Sequence, residues 1–347
     1  MSATAVSRTL AGVLALLLSA CAAPPPAPPA AVAAATTLRM RGDVVARNDR
    51  YVLYAPTAED TWRTIAARLL GDADRAWRVA DFNRQLTGSA ALDGASLVAV
   101  PLQPLDPIGV YADRVQTVPI LCYHRFGAGS SKMVVSQAQL AAQLDWLARN
   151  DYRVIPLVEL QGFLAGREAL PARSVVITVD DGYESFYRIA WPLLRARDFP
   201  ATLFVYTDFI GSKEALSWAQ LKELAASGLV DVQAHSKSHR NLIERAADED
   251  DASYRRAIDA ETRIPREQIE RRVGGSVSAY AYPFGDTNET VLAALDRQQF
   301  RLAATVTPGG NAFYAPPMLL RRTMIFGDYD LETFKAKLQT SRSLDAR

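Results

Sequence analysis

The chain is short of the residues that carry most metal and redox chemistry. Its 347 residues hold 3 histidines and 2 cysteines. With one cysteine at the extreme N-terminus (Cys21) and one far inside (Cys122), a disulfide framework is excluded. Cys122 sits in an apolar run and reads as a small buried hydrophobe, a poor candidate for a nucleophile. Net charge is also scarce: Lys+Arg 39 against Asp+Glu 38 leaves +1. That balance excludes an electrostatic nucleic-acid binder, so no nucleic-acid partner is expected. There is no internal repeat. The apolar run from Leu10 to Leu18 is too short to span a bilayer after export. What is present is a hydrophobic content of 49% with 22% charged residues, enough for one large globular domain and a small one.

The N-terminus reads as a targeting segment. Arg8 precedes the apolar run, which ends in Leu18-Ser19-Ala20-Cys21. This resembles a bacterial lipobox, which implies a signal (1–21) cut before Cys21 and a lipid carried on that residue. An ordinary signal peptide with an incidental cysteine is the alternative. Ala22, rather than Asp, follows the cysteine, which by the sorting pattern of Gram-negative lipoproteins implies anchoring to the outer membrane, facing the periplasm. Residues 22–45 are rich in Ala and Pro and should form an extended tether.

Residues 46–105 read as a small α/β unit: a strand at 51–54, a helix begun by Asp60 with Trp62, Ile65, Ala66 and Leu69 on one face, a second helix near 76–83, and a closing strand ending at Pro101. This order, with Asn83 and the Val-Pro ending, resembles a LysM module and implies binding to N-acetylglucosamine-containing glycans. Glu59 stands where such modules usually have glycine. A packing unit without glycan affinity is the other reading.

From about 115 to 340, strand-like and helix-like runs alternate. Strands are expected at 119–123, 152–155, 174–179, 201–206, 231–234, 277–282 and 302–306. A helix should start at Ser136 with Gln139 completing a capping box; others are expected at 191–197, 217–226, 251–272 and 289–297. The alternation implies an α/β fold with a parallel sheet, closed or nearly closed, and helices outside. Every candidate site residue falls at or just after the C-terminal end of a strand, where such barrels place their chemistry.

Those residues are few. Asp180 and Asp181 leave a β-branched strand, and Gly182 permits a sharp turn that brings both carboxylates to one pocket. Asp181 as a simple helix cap is the structural alternative. His235 and His239 follow another strand, and in a helical turn this spacing puts both rings on one face. Two imidazoles and one carboxylate make a divalent-metal site with open positions. The second carboxylate and the third imidazole, His124, are then free to move protons.

In order, Thr178-Val179-Asp180-Asp181-Gly182-Tyr183, His235-Ser236-Lys237-Ser238-His239 and Tyr282-Pro283-Phe284-Gly285 resemble the motifs of the polysaccharide deacetylase family, also called NodB-homology or carbohydrate esterase 4. The resemblance implies a distorted (β/α)7-type barrel and a divalent metal, usually Zn2+. It implies Asp181, His235 and His239 as ligands, Asp180 as catalytic base and the Phe284 N–H as an oxyanion donor. Ala281 stands where most members have arginine, and the usual late histidine is missing. The early Pro-Ile-Leu-Cys-Tyr-His run resembles the subgroup acting on poly-β-1,6-N-acetylglucosamine, which implies His124 as the acid and a late arginine, Arg322, in place of the missing one. Tyr282, Phe284 and Trp218 are candidates for stacking on sugar rings or for the core. The expected activity is acetyl removal from N-acetylglucosamine units of a cell-envelope or extracellular polysaccharide. Peptidoglycan as the substrate, or an impaired glycan-binding lipoprotein, are the alternatives.

Overall fold

The computed structural model describes residues 42–87, 91–92, 97–103, 106–129 and 131–344. The signal, Cys21 and nearly all of the tether lie outside the described residues.

A first layer is built from β1 (Val44–Arg47), β2 (Tyr51–Tyr54), α1 (Trp62–Leu70), α2 (Ala76–Thr87) and β3 (Val98–Pro101). The strands form one antiparallel sheet, β1-β2-β3. Val52, Tyr54, Ile65, Ala66, Val79, Val98 and Val100 form a separate small core. The strand-helix-helix-strand order expected from sequence is present, with β1 added in front, so this sheet begins inside the stretch assigned to the tether. Asp60 does not cap α1. Thr61 does, in a reciprocal box with Thr64. The buried Asp60 carboxylate instead accepts from the Tyr54 hydroxyl (2.7 Å) and the Thr57 N–H (2.8 Å). Asn83 ties α2 to β3, accepting from the Ala99 N–H at 3.0 Å and donating to the Ala99 carbonyl at 2.8 Å.

The chain continues through β4 (Arg114–Gln116), β5 (Val118–Tyr123), β6 (Arg125–Phe126), β7 (Val134–Val135), α3 (Gln137–Arg149), β8 (Arg153–Val154), α4 (Leu160–Leu164), β9 (Ser174–Val179), α5 (Trp191–Arg195), β10 (Ala201–Val205), α6 (Trp218–Ala226), β11 (Val230–Ala234), α7 (Asp251–Arg272), β12 (Ala279–Ala281), α8 (Glu289–Arg297), β13 (Leu302–Ala304), β14 (Gly310–Asn311), β15 (Thr323–Met324), α9 (Leu331–Ala336) and β16 (Ser341–Ser343). The capping boxes at Ser136/Gln139 and Ser217/Gln220 start α3 and α6. α5 begins where expected, after a π-helical turn at Phe186–Ala190, and stops two residues early at Arg195.

β5, β9, β10, β11, β12 and β13 are parallel neighbours. The sheet curls until 320–324 bridges its two ends. Leu320 pairs with Ala304 of β13, and Thr323 and Met324 pair with β5. The result is a nearly closed (β/α)-type barrel. Side chains alternate across its wall, as the period of 2 in a strand requires. Val118, Ile120, Val176, Phe204, Ala279, Ala281, Leu302 and Ala304 fill the interior. Leu121, Tyr123, Val175, Ile177, Val179, Leu203 and Val205 face the helices. Following the inward set along β9 leads from Val176 through Thr178 to Asp180, so the strand's own register aims that carboxylate into the barrel mouth.

Candidate active site

Asp180 ends the inward row of β9, and its N–H donates to the Tyr123 carbonyl at 2.9 Å, which keeps it in the sheet. The next two residues turn sharply: Asp181 has φ 76° and Gly182 φ 90°. A Cβ on Gly182 would lie 2.8 Å from the Ile210 side chain and 3.0 Å from that of Val205, so glycine alone fits the turn. The turn swings Asp181 to the same side as Asp180, as the sequence led one to expect.

His235 and His239 follow β11, but not on a helical turn. Ser236 (φ 79°) and His239 (φ 63°) are left-handed in an irregular loop. Non-glycine residues in that region cost ~1–3 kcal/mol each and persist only where surrounding contacts hold them. The Ser236 hydroxyl accepts from the His239 N–H at 2.9 Å, which helps to close the loop. The two rings meet edge to face with centroids 4.9 Å apart.

The three donors converge. His235 Nε2 lies 3.6 Å and His239 Nε2 3.4 Å from Asp181 Oδ1. That oxygen is buried and has no hydrogen-bond partner. A buried orphan carboxylate oxygen facing two imidazole nitrogens is what a cation-binding cluster presents. His235 Nδ1 lies 2.8 Å from the Ala281 carbonyl, an arrangement that places the proton on Nδ1 and leaves Nε2 as a lone-pair donor. Burial lowers His235 to about 3 and also lowers His239, so both rings are neutral at pH 7. Burial, with the adjacent Asp180 charge, pushes Asp181 up to about 6. Asp181, His235 and His239 could therefore hold a divalent ion such as zinc.

Asp180 is held differently. Arg322, fully buried, donates from Nη1 to Oδ1 and from Nη2 to Oδ2, each at 2.7 Å. The Arg322 Nε donates to the Thr305 carbonyl at 2.9 Å, and its guanidinium lies over the Phe204 ring at 5.5 Å. Burial alone would raise the Asp180 carboxyl; the Arg322 charge and hydrogen bonds, with His235, more than offset it and hold the group well below the carboxylate range. Arg322 comes from the bridging segment 320–324, two strands round the ring from Ala281. The bidentate fork suits guanidinium and not ammonium.

His124 follows β5 and is half-buried. One of its ring nitrogens lies within 4.8 Å of an Asp180 oxygen and of Cys122 Sγ. Burial lowers its ring below the ordinary value, against the opposing pull of Asp180 and Asp181. Cys122 is fully buried, its thiol 3.5 Å from Asp180 Oδ2 and raised by burial, so it is an inert neighbour.

Of the aromatic candidates, Phe284 alone stands at the mouth. It has φ 61°, is 59% exposed and packs edge to face on His239 at 4.9 Å. Tyr282 cannot stack on a sugar: it is fully buried, with its hydroxyl donating to the Met318 carbonyl at 2.8 Å. Trp218 opens α6, half-buried against the core with the Arg272 guanidinium over its ring at 4.9 Å. Tyr206, which the sequence reading passed over, ends the β10 run and packs on His239 (5.1 Å) and Phe209 (5.0 Å). Its position just past a strand end was the available signal. Burial, helped by the Asp181 charge, pushes its hydroxyl up to about 12. Arg125, next to His124, lies over the Tyr183 ring and pairs with Glu214 at 2.7 Å on the rim.

Residues 167–303 match the family model described as polysaccharide deacetylase. The poly-β-1,6-N-acetyl-D-glucosamine N-deacetylase of Staphylococcus aureus is 26% identical over 196 residues, covering 54% of this chain and 67% of its own. Among solved structures, the Streptococcus pyogenes deacetylase PplD in complex with acetate aligns with a TM-score of 0.58 at 25% identity, covering 64% of this chain and 98% of that one. IcaB from Ammonifex degensii aligns with a TM-score of 0.57 at 29% identity, covering 65% and 97%. Over residues 167–303 the barrel is similar to polysaccharide deacetylases, with poly-N-acetylglucosamine deacetylases among the proteins it resembles. The family match spans Asp180, Asp181, His235, His239 and Phe284; His124 and Arg322 lie outside it.

Proposed function

We propose that this chain is a metal-dependent hydrolase that removes acetyl groups from N-acetylglucosamine units of an extracellular or cell-envelope polysaccharide. The observation that carries the reading is the buried, unpartnered Asp181 Oδ1 facing two neutral imidazoles beside an Arg322-held Asp180. When bound there, a divalent ion supplies Lewis acidity toward a carbonyl and makes water a nucleophile near neutral pH. The residues do the rest. Asp180, kept ionised by Arg322, takes the proton of the attacking water. That pairing makes it a weak base but one available at any working pH. The Phe284 N–H donates to the developing oxyanion. His124, within reach of Asp180, protonates the departing amine, which leaves acetate and a free amino sugar. The exposed Phe284 ring offers an apolar face to the sugar.

We further propose that Cys21 carries a lipid anchor in the outer membrane, that the tether holds the barrel off the surface, and that residues 46–105 bind glycan as a LysM-like module. The relatives named above favour a β-1,6-linked polymer. The test is metal content of the purified chain together with acetate release from β-1,6-linked N-acetylglucosamine oligomers, chitin oligomers and peptidoglycan. Release from the first that is abolished by chelation is expected. A metal-loaded chain that binds glycan and releases no acetate from any of them would refute the proposal in favour of an impaired binding protein.

A further inference from the structure

We infer that Glu261, on the long helix α7, is the positioning residue of the loop that carries both imidazole ligands; this rests on the metal-site reading above. Glu261 is buried at 6% exposure, the one charged residue on the buried face that α7 forms with Tyr254, Ile258, Thr262, Pro265 and Ile269. Its Oε2 accepts from the Lys237 N–H at 3.0 Å and the Ser238 N–H at 2.9 Å, and its Oε1 accepts from the Ser238 hydroxyl at 2.6 Å. The bonds grip the two residues lying between left-handed Ser236 and His239. Such a backbone stays in place only if something outside it supplies the contacts, and one carboxylate supplies three.

The helix is prepared for this task at the same residue. Pro265 has no N–H to donate to the carbonyl four residues earlier, which is that of Glu261. The Tyr280 hydroxyl of β12 donates to that carbonyl instead, at 3.4 Å. Glu261 is thus tied through its backbone to β12 and through its side chain to the histidine loop. Partners that orient metal ligands typically change metal affinity by about 10–100-fold when removed.

The experiment measures Zn2+ affinity by chelator competition, and the visible spectrum of the Co2+ form, for the full chain and three variants. Glu261→Ala leaves two N–H groups without an acceptor; affinity should fall by about 10–100-fold and the Co2+ bands should change. Glu261→Gln keeps an oxygen for both N–H groups and an amide for the Ser238 hydroxyl, so it should recover to within about threefold of wild type. Thr262→Val, its buried neighbour, whose hydroxyl donates to the Ile258 carbonyl at 2.9 Å, should lower Tm with wild-type affinity. If Glu261→Ala binds Zn2+ as wild type does, or lowers only Tm, the positioning role is overturned while the metal site stands. If wild type itself binds no metal, both fall.

Discussion

Replacing Arg322 with methionine isolates the effect of one buried charge on the site. The guanidinium makes two 2.7 Å hydrogen bonds to Asp180, and the side chains are 0% and 2% exposed. Methionine keeps much of the volume and removes both donors, which leaves a carboxylate buried beside Asp181. Breaking a buried pair from one side costs ~3–5 kcal/mol. For a domain of this size that corresponds to a Tm lower by roughly 6–20 °C at pH 7. The sign with pH follows from the wild-type pair. Asp180 is held below its ordinary value in the fold, so the pair's contribution is full above about pH 4 and is lost as pH falls through the folded value. Without Arg322, burial dominates and the carboxyl rises, so the variant loses stability as pH increases. The Tm gap between wild type and variant should therefore be wide at pH 7 and narrow at pH 3. Catalysis should suffer separately: a protonated Asp180 accepts no proton, and kcat/KM should fall about 100-fold or more with its acid limb moved upward. Arg322→Lys restores charge without the fork and should recover only part of the loss. The assays are thermal melts across pH and acetate release from β-1,6-linked oligomers. A methionine variant with wild-type Tm at pH 7 and an unmoved acid limb would refute the assignment of Arg322.

Asp180→Asn should retain metal, because the converging donors belong to Asp181, His235 and His239, while turnover drops about 100-fold or more; loss of metal in this variant would put Asp180 among the ligands. Activity that needs protonated His124 should fall as pH rises, through a midpoint below the 6.5 of a free imidazole, and that limb should vanish in His124→Gln; a limb that persists assigns the acid elsewhere. In the metal-free chain, His235, lowered from 6.5 to about 3, contributes stability present above pH 6.5 and lost toward pH 3, on the order of 5 kcal/mol. Asp181, raised from 3.8 to about 6, opposes it by ~3 kcal/mol, its contribution falling as pH rises from 3.8 to 6. Relative to wild type, His235→Gln should gain stability on acidification from pH 6.5 to 4, and parallel melting curves for the two proteins would contradict this.

How much was legible depended on how rare each signal is. With 3 histidines in the chain, any pattern among them carried weight, and the structure brings His235 and His239 to Asp181 and places His124 beside Asp180. The Ser136/Gln139 box marked a helix start because a side chain and a backbone N–H within three residues suffice to make it. Glu261 was invisible: α7 also carries Glu267 and Glu270, which pair with arginines on the same helix, and nothing local separates the one that turns inward. The helical turn expected at 235–239 failed for a related reason. Spacing of four fits a helix and a pinned loop alike, and the contacts that choose between them come from Glu261 and Ser236. Asp60 was misread as a cap because Thr61, next to it, takes that place, while the Asp60 carboxylate gathers Tyr54 and Thr57 from before the helix and the Thr64 and Arg68 side chains from within it.

By itself the sequence determined the alternation of strands and helices, the strand ends that bear chemistry, and the small set of side chains able to bind a cation or move a proton. Those depend on periodicity, turns and residue type, which act over a few neighbours. Only the tertiary structure decided that Arg322, 142 positions from Asp180, would lie against it. The same holds for the Asp181 oxygen left unpartnered between two rings and for Tyr282, which turned into the core. Each is set by closure of the sheet, which brings distant segments into one dry volume where a buried polar group must find a partner.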